Sequence, residues 1–178
     1  MFETILTTAK TIMVGMMIGN APMDVQNVEE TYCMALNVYY EARGEGWKGK
    51  TAVAHVVLNR AEHEKYPNSI CGVVLQAKTW KDRVIRDRCQ FSWYCDGKVD
   101  LPQLQYKQDP RQGKVIEANM RDWRRSVEVS IQAMDGWSRD VSGGATHYYN
   151  HNISTPSWST IYPTTTVIEN HTFLVRND

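Results

Sequence analysis

The sequence has no excess of either charge, because 20 lysines and arginines balance 20 aspartates and glutamates. The chain as a whole therefore lacks the positive field by which many proteins hold nucleic acid, and we expect no nucleic-acid partner. Internal repeats and low-complexity tracts are also missing. With 42% hydrophobic and 22% charged residues, a wholly disordered or fibrous chain is excluded. The 178 residues suffice for one domain and a short appendage.

Long hydrophobic runs are absent as well, since the apolar stretch Thr11–Gly19 has only nine residues. As a helix it would span roughly 14 Å, far less than a hydrocarbon core of about 30 Å. It ends in small residues, as a secretory signal does, although Glu3 and Pro22 count against cleavage. We predict that residues 1–26 are a signal or signal-anchor-like segment with transient membrane contact, and that the chain is exported. The alternative is an amphipathic helix packed on a domain formed by residues 27–178.

Cysteine is scarce, and its pattern lacks the Cys-x-x-Cys pair of common zinc sites. No histidine stands at ligand spacing from a cysteine either, so we predict neither a metal nor another cofactor. The four cysteines allow three disulfide pairings, which the sequence leaves open. In a cytosolic protein they would instead be free thiols. These residues are Cys33, Cys71, Cys89 and Cys95.

Apolar residues at helical spacing occupy most of the chain after the N-terminal segment. Asn27 and Glu30 have the spacing of a capping box, which predicts a helix beginning at Asn27. Helices are predicted over residues 27–42, 47–63, 67–76 and 116–134, with short extended segments near 148–149 and 164–168. The predicted fold is therefore mainly α (α+β), with the extended segments near the C-terminus.

A local run of charge breaks the overall neutrality. Residues 78–88 contain five basic and two acidic side chains, which leaves a net charge of +3. Such a patch could bind an anionic polymer. A solvated loop is the other interpretation of the same run.

Two glutamates stand four residues apart where the first predicted helix ends. At that spacing Glu41 and Glu45 would share a helix face, with Cβ atoms about 6 Å apart. Glu41 follows two tyrosines, and aromatic surface disfavours the ionised form of a carboxyl group. The pKa of Glu41 would then rise, and its carboxyl could donate a proton near neutral pH. A glutamate in a last helical turn is also a common surface residue, so this pattern alone does not decide.

Several segments around Glu41 give a more specific signal through their order and spacing. In chain order they are Tyr40–Glu45, Ala52–Arg60, Tyr66–Val74, Cys89–Trp93, Asp96–Gly97, Gly144–Asn150, Pro156, Trp158 and His171. Together they resemble the cell-wall hydrolase family typified by spore cortex-lytic enzymes. The resemblance covers nearly everything except the N-terminal segment. Any single segment would be unspecific.

This resemblance implies a lysozyme-like helical domain that cuts peptidoglycan glycan strands, acting as a monomer in the periplasm or cell wall. Glu41 matches the family's catalytic glutamate. The sugar groove would be lined by Gln90, Phe91, Ser92 and Trp93, with Tyr148 and Tyr149 on its opposite wall. We expect Asn59 and Arg60 to serve packing and capping. A phage endolysin and a bacterial remodelling enzyme both fit.

The number of carboxyl groups constrains the reaction. Most glycoside hydrolases use two, and Glu45 and Asp96 are the candidate seconds. For Glu45 we favour a structural role, as partner of Arg43 or of a backbone donor. The family resemblance favours a single-acid route instead. In that route Glu41 protonates the bond between N-acetylmuramic acid and N-acetylglucosamine, and the C6 hydroxyl closes a 1,6-anhydro ring.

Two alternatives remain open at this point. His147 and His151 are four apart, as zinc ligands on a helix can be, which would suit a metal-dependent amidase or peptidase. The glycines before them and Pro156 after them make a helix unfavourable there. A non-catalytic cell-wall binding module would keep an aromatic groove without depending on Glu41. We expect His55 and His171 to be structural.

Overall fold

The computed structural model describes residues 25–102 and 113–177. Four α-helices and five β-strands follow one another in this part of the chain. The helices are α1 Val25–Glu41, α2 Trp47–Glu62, α3 Ile70–Val74 and α4 Gly113–Met134. The strands are β1 Ala77–Trp80, β2 Arg83–Cys89, β3 His147–Asn150, β4 Thr164–Ile168 and β5 His171–Leu174, with short 3-10 helices at Ser92–Cys95 and Ser157–Thr160. This mixed α and β content confirms the predicted fold class.

The core lies where α1, α2 and α4 pack together. Ala52, Val53 and Ala54 of α2 are completely buried, as are Val56 and Val57, so α2 is the central helix of the core. Trp123 of α4 is also completely buried, and its ring meets Tyr32 and Tyr39 of α1 edge-on at 6.0 and 5.9 Å. Tyr32 and Tyr39 therefore form the surface of α1 that packs against α4.

The predicted start of the first helix is wrong. α1 begins at Val25, so Asn27 lies inside it and uses its backbone carbonyl to accept a hydrogen bond from Thr31. Glu30 does not close a capping box. Its carboxylate accepts a hydrogen bond from the backbone N–H of Cys71 at 3.1 Å, near the start of α3. The N-terminus of α3 therefore binds the Glu30 side chain, which the local spacing had predicted to cap α1.

A three-stranded antiparallel sheet closes the C-terminal part in the order β3-β5-β4. All four residues of the central strand β5 are buried, including Phe173, which faces Tyr148 of β3. The predicted extended segments are confirmed, and β5 adds a strand that the sequence did not indicate. This sheet brings the Tyr148 strand towards the end of α1.

Residues 77–89 form a second, two-stranded antiparallel sheet, which we call the basic ribbon. Its turn places Lys81 and Asp82 at φ 47° and 60°. The run is solvated as that interpretation expects, since residues 78–88 are exposed, but it forms a hairpin with a register shift between Ala77 and Thr79 and not a loop. Exposure of both faces removes the alternation of apolar and polar residues by which a strand is recognised.

Of the three cysteine pairings, the structure contains Cys33–Cys71 and Cys89–Cys95. The first joins α1 to α3, and the second ties the end of the basic ribbon to the following 3-10 helix. Within the described ranges, no helix combines the length and hydropathy needed to cross a bilayer. The predicted N-terminal signal segment lies outside the described residues.

Candidate active site

A cavity of about 380 Å³ opens where the helical layer meets the C-terminal sheet. Each of its walls comes from a different part of the chain. The described lining residues are Glu41, Arg60, Gln90, Phe91, His147, Tyr148, Trp158 and Tyr162. Such a concave site, with aromatic walls and a few polar groups, is typical of a ligand-binding cleft.

Glu41 is the last residue of α1, and the backbone just after it is firmly held. The Nζ atom of Lys50, a completely buried residue, donates to the Ala42 carbonyl at 2.9 Å and lies 3.3 Å from Asp122 Oδ1. The lysine thereby adds a second hydrogen bond to a carbonyl that also accepts one from the backbone N–H of Glu45 at 3.1 Å. This cap holds the chain in place one residue away from the cavity carboxyl.

Burial raises the pKa of Glu41 above its ordinary value. The hydroxyl of Tyr148 donates a hydrogen bond to Glu41 Oε2 at 3.2 Å, which lowers the pKa, as does the charge of Arg60. Burial outweighs both. A carboxyl of this kind keeps its proton at a higher pH than an exposed one, and it can act as a general acid.

Arg60 is a buried cation in the wall of the same cavity. Its guanidinium lies between the rings of Tyr66 and Phe91, with Cζ 5.4 and 5.2 Å from their centroids, and its Nε donates to the Thr146 carbonyl at 2.6 Å. The packing role expected for Arg60 is therefore present. Its place beside Glu41 in the cavity adds an electrostatic role, which the sequence pattern had not indicated.

An aromatic wall stands on the sheet side of the cavity. The His147 ring stacks on Tyr162 with centroids 4.4 Å apart, and Trp158 lies 5.5 Å from His147. Flat rings of this kind suit the apolar faces of sugars. Sequence reasoning missed Tyr162, and it considered His147 only as a metal ligand.

The structure brings four of the predicted site residues to the cavity, namely Glu41, Gln90, Phe91 and Tyr148. Trp93 turns inward instead, stacks on Tyr40 at 4.9 Å and donates its Nε1 hydrogen to Asn37, and it is not among the lining residues. The 3-10 helix that begins at Ser92 causes this divergence, and Ser92 itself is exposed away from the lining. Tyr149 packs against Trp158 at 5.9 Å and is not itself among the lining residues.

Neither candidate second carboxylate belongs to the cavity. Asp96 lies on the surface and accepts hydrogen bonds from the backbone and side chain of Lys98. Glu45 is buried elsewhere and accepts a hydrogen bond from Asn170 Nδ2 at 2.8 Å. Arg43, its expected partner, binds Asn119 instead. Among the described residues, Glu41 is the only carboxyl group that lines the cavity.

The histidine pair of the metal alternative is not held on a helix. His147 begins β3, whereas His151 follows that strand and contacts the Thr172 hydroxyl through Nδ1 at 3.2 Å. Within residues 25–102 and 113–177, no three His, Cys, Asp or Glu side chains converge as a metal site requires.

Residues 44–174 match the sequence model of the cell wall hydrolase family. This chain belongs to that family. The matched range begins three residues after Glu41 and contains every other described residue that lines the cavity.

Named relatives of this cell wall hydrolase are similar over most of the chain. The spore cortex-lytic enzymes of Oceanobacillus iheyensis and Halalkalibacterium halodurans are 29% and 30% identical to it over 140 residues, 79% of this chain. Those residues cover only 39% and 33% of the two relatives, so the chain spans about two-fifths of their length or less.

Solved structures show the same fold. The catalytic domain of the germination-specific lytic transglycosylase SleB from Bacillus anthracis is 25% identical, with a TM-score of 0.57, over 88% of this chain and 99% of that domain. The catalytic domain of Bacillus cereus SleB is 24% identical, with a TM-score of 0.52, over 89% and 95%. The cell wall hydrolase described here thus matches nearly the whole of a catalytic domain.

Proposed function

We propose that this cell wall hydrolase cleaves the glycosidic bond between N-acetylmuramic acid and N-acetylglucosamine in peptidoglycan, with Glu41 as its acid and base. The observation that carries the proposal is a single carboxyl among the described lining residues, whose pKa is raised by burial, in an aromatic cavity. Membership of the cell wall hydrolase family and similarity to a lytic transglycosylase domain support the same substrate and reaction.

The reaction needs only this one carboxyl group. Glu41 gives its proton to the glycosidic oxygen as the bond from C1 of the muramic residue breaks. The resulting carboxylate, which Tyr148 and Arg60 stabilise, then accepts the proton of the C6 hydroxyl as O6 bonds to C1. No water is consumed, and the product carries a 1,6-anhydro end. Because the described cavity lacks a second carboxylate to activate water, we favour this route over hydrolysis.

Mass spectrometry of fragments released from purified sacculi tests the proposal. We expect anhydro ends, which are lighter by one water than the reducing ends left by hydrolysis. Glu41→Gln should fold normally and lose about 1,000-fold in release rate, a size typical of general acid catalysis. Full activity of that variant would contradict the proposed role. Loss of activity with a chelator and release of free stem peptides would favour a metal-dependent amidase instead.

We also propose that the protein works outside the cytosol. Its four cysteines form two disulfides, and such bonds persist in oxidising compartments. Fractionation of producing cells, followed by alkylation of free thiols, tests this. Extracytosolic protein should resist alkylation until it is reduced, whereas cytosolic protein with four reactive thiols would contradict the proposal.

A further inference from the structure

The basic ribbon is a charged surface that the proposed reaction does not use. Every residue from 78 to 88 is exposed, so neither face of the hairpin is buried against the domain. The run carries Lys78, Lys81, Arg83, Arg86 and Arg88 against Asp82 and Asp87. A two-stranded ribbon is only marginally stable in water by itself. This one therefore depends on its attachment to the domain.

That attachment lies beside the cavity. The disulfide Cys89–Cys95 ties the end of β2 to the next helix, and the backbone N–H of Gln90 donates to the Gln76 carbonyl at 2.8 Å. Gln90 and Phe91, which follow the ribbon directly, line the cavity. A polymer that occupies the cavity therefore lies close to the end of the ribbon that joins Gln90.

The ribbon also presents apolar surface to solvent. Trp80 is 65% exposed, and Lys81 Nζ lies 4.5 Å from the centroid of its ring. Val84 and Ile85 in the facing strand are partly exposed too. Apolar groups among cations form a mixed surface that fits a peptide with carboxylates better than it fits a bare, uncharged sugar chain.

We infer that the basic ribbon binds the carboxylate-bearing peptide stems of the polymer whose glycan strand enters the cavity. This inference rests on the proposed function, because the stems are attached to the sugar that the cavity would hold. Charge complementarity supports it, since the net charge of +3 on the ribbon is opposite in sign to the carboxylates of the stems. Exposed charge pairs are individually weak and are screened by salt, so the effect should depend strongly on ionic strength.

Sedimentation with two forms of the polymer tests the inference in the inactive Glu41→Gln background. One form is intact sacculi, and the other is glycan freed of its stems by an amidase. The ribbon variant K78Q/R83Q/R88Q is compared with K48Q/R121Q/R124Q, which removes three exposed cations outside the ribbon. All of these side chains are exposed, so folding should be unaffected, and a thermal melt verifies it.

We expect the ribbon variant to bind intact sacculi about five- to tenfold more weakly than the control at low salt, with a smaller difference at 1 M salt, where the screening length is about 3 Å. Binding to stem-free glycan should be equal. Trp80→Ala should weaken binding to sacculi less than the triple change does.

Equal binding of both triple variants to sacculi would overturn the inference. An equal loss on stem-free glycan would overturn it too, by assigning the ribbon to the sugar. Phosphatidylglycerol vesicles and single-stranded DNA serve as further probes, and ribbon-dependent binding to either as tight as binding to sacculi would show a general polyanion surface instead. If the active protein released no glycan fragments, the proposed function would fail, while this comparison would still report on the ribbon.

Discussion

Glu41 and Glu45 stand four residues apart at the end of α1, yet their surroundings shift their pKa values in opposite directions. Burial raises the pKa of Glu41, and the hydrogen bond from Tyr148 and the charge of Arg60, which both lower that pKa, do not compensate. Burial would also raise the pKa of Glu45, but hydrogen bonds from Glu169 and Asn170 lower it. Two identical side chains therefore differ in acidity: the one in the cavity has a raised pKa, and the one at a structural junction has a lowered pKa.

The junction around Glu45 joins the end of the sheet to the start of α2. Glu169 accepts hydrogen bonds from the backbone N–H groups of Gly46 and Gly49, at 2.7 and 3.4 Å. A Cβ atom at Gly49 would lie 2.6 Å from Glu169 Oε2, so only glycine permits this approach. Burial and the hydrogen bond with Glu45 raise the pKa of Glu169, which means that the two carboxyl groups favour holding one proton between them.

Exchange of the two carboxyl groups for amides should separate catalysis from stability most clearly. Glu45→Gln should lower the free energy of unfolding at pH 7 by about 1.5–3 kcal/mol, the size typical for hydrogen bonds to a charged group, and keep most of the product formation. Glu41→Gln should instead raise the free energy of unfolding and remove most of the product formation. Because the folded state raises the pKa of Glu41, that residue destabilises the fold as pH rises, and an amide removes this effect.

Urea unfolding at pH 4 and pH 8 measures both changes. The advantage of Glu41→Gln should be present at pH 8 and vanish at pH 4. The deficit of Glu45→Gln should be present at pH 8 and shrink as pH falls through the lowered pKa of Glu45. Loss of product formation by well-folded Glu45→Gln protein would contradict its structural role.

Tyr148→Phe should have a smaller effect, confined to the cavity. It removes the hydroxyl that donates to Glu41 Oε2, so the pKa of Glu41 should rise further. The alkaline limb of kcat/KM should move to higher pH. We expect kcat/KM near neutrality to fall about tenfold, because the carboxylate formed during reaction loses a hydrogen bond worth about 1.5 kcal/mol.

Tyr149→Phe is the matched control, since that ring packs on Trp158 and is not among the residues that line the cavity. Its pH profile on solubilised glycan chains should match that of the wild type. Identical profiles for all three proteins would show that the Tyr148 hydroxyl does not influence the acid.

Glu169→Gln should have the smallest effect, visible only as a change in the pH dependence of the melting temperature. The wild-type junction should lose stability as pH rises through the raised pKa of Glu169, because both carboxyl groups then become charged. A glutamine amide can donate to Glu45 and still accept from Gly46, so this loss should disappear. The variant should therefore melt higher than the wild type at pH 8 and equally at pH 5.

Calorimetry across this pH range, with Glu128→Gln on the exposed side of α4 as control, measures the effect. Parallel curves for Glu169→Gln and the wild type would mean that the junction does not share a proton. In that case Asn170, and not Glu169, would account for the lowered pKa of Glu45.

The helices could be predicted because burial of one face leaves a regular pattern, as the spacing from Ile116 to Met134 shows. The candidate site was accessible only in part. Gln90 and Phe91 reach the cavity while Trp93, two residues further on, enters the core, because the 3-10 helix between them turns successive side chains in different directions. Tyr162 comes from a loop after the second 3-10 helix and has no local pattern to reveal it.

The amino-acid sequence by itself determined the helical segments, the family to which they belong and the carboxyl residue that the proposed reaction requires. These properties depend on local periodicity and on motifs that stay in order along the chain. Only the tertiary structure decided which carboxyl is surrounded by aromatic rings and which by hydrogen-bond donors. Burial and hydrogen bonding to Glu41 and Glu45 come from Tyr148 and Asn170, more than 100 residues away along the chain. The acid–base properties of each glutamate therefore depend on neighbours that folding brings to it.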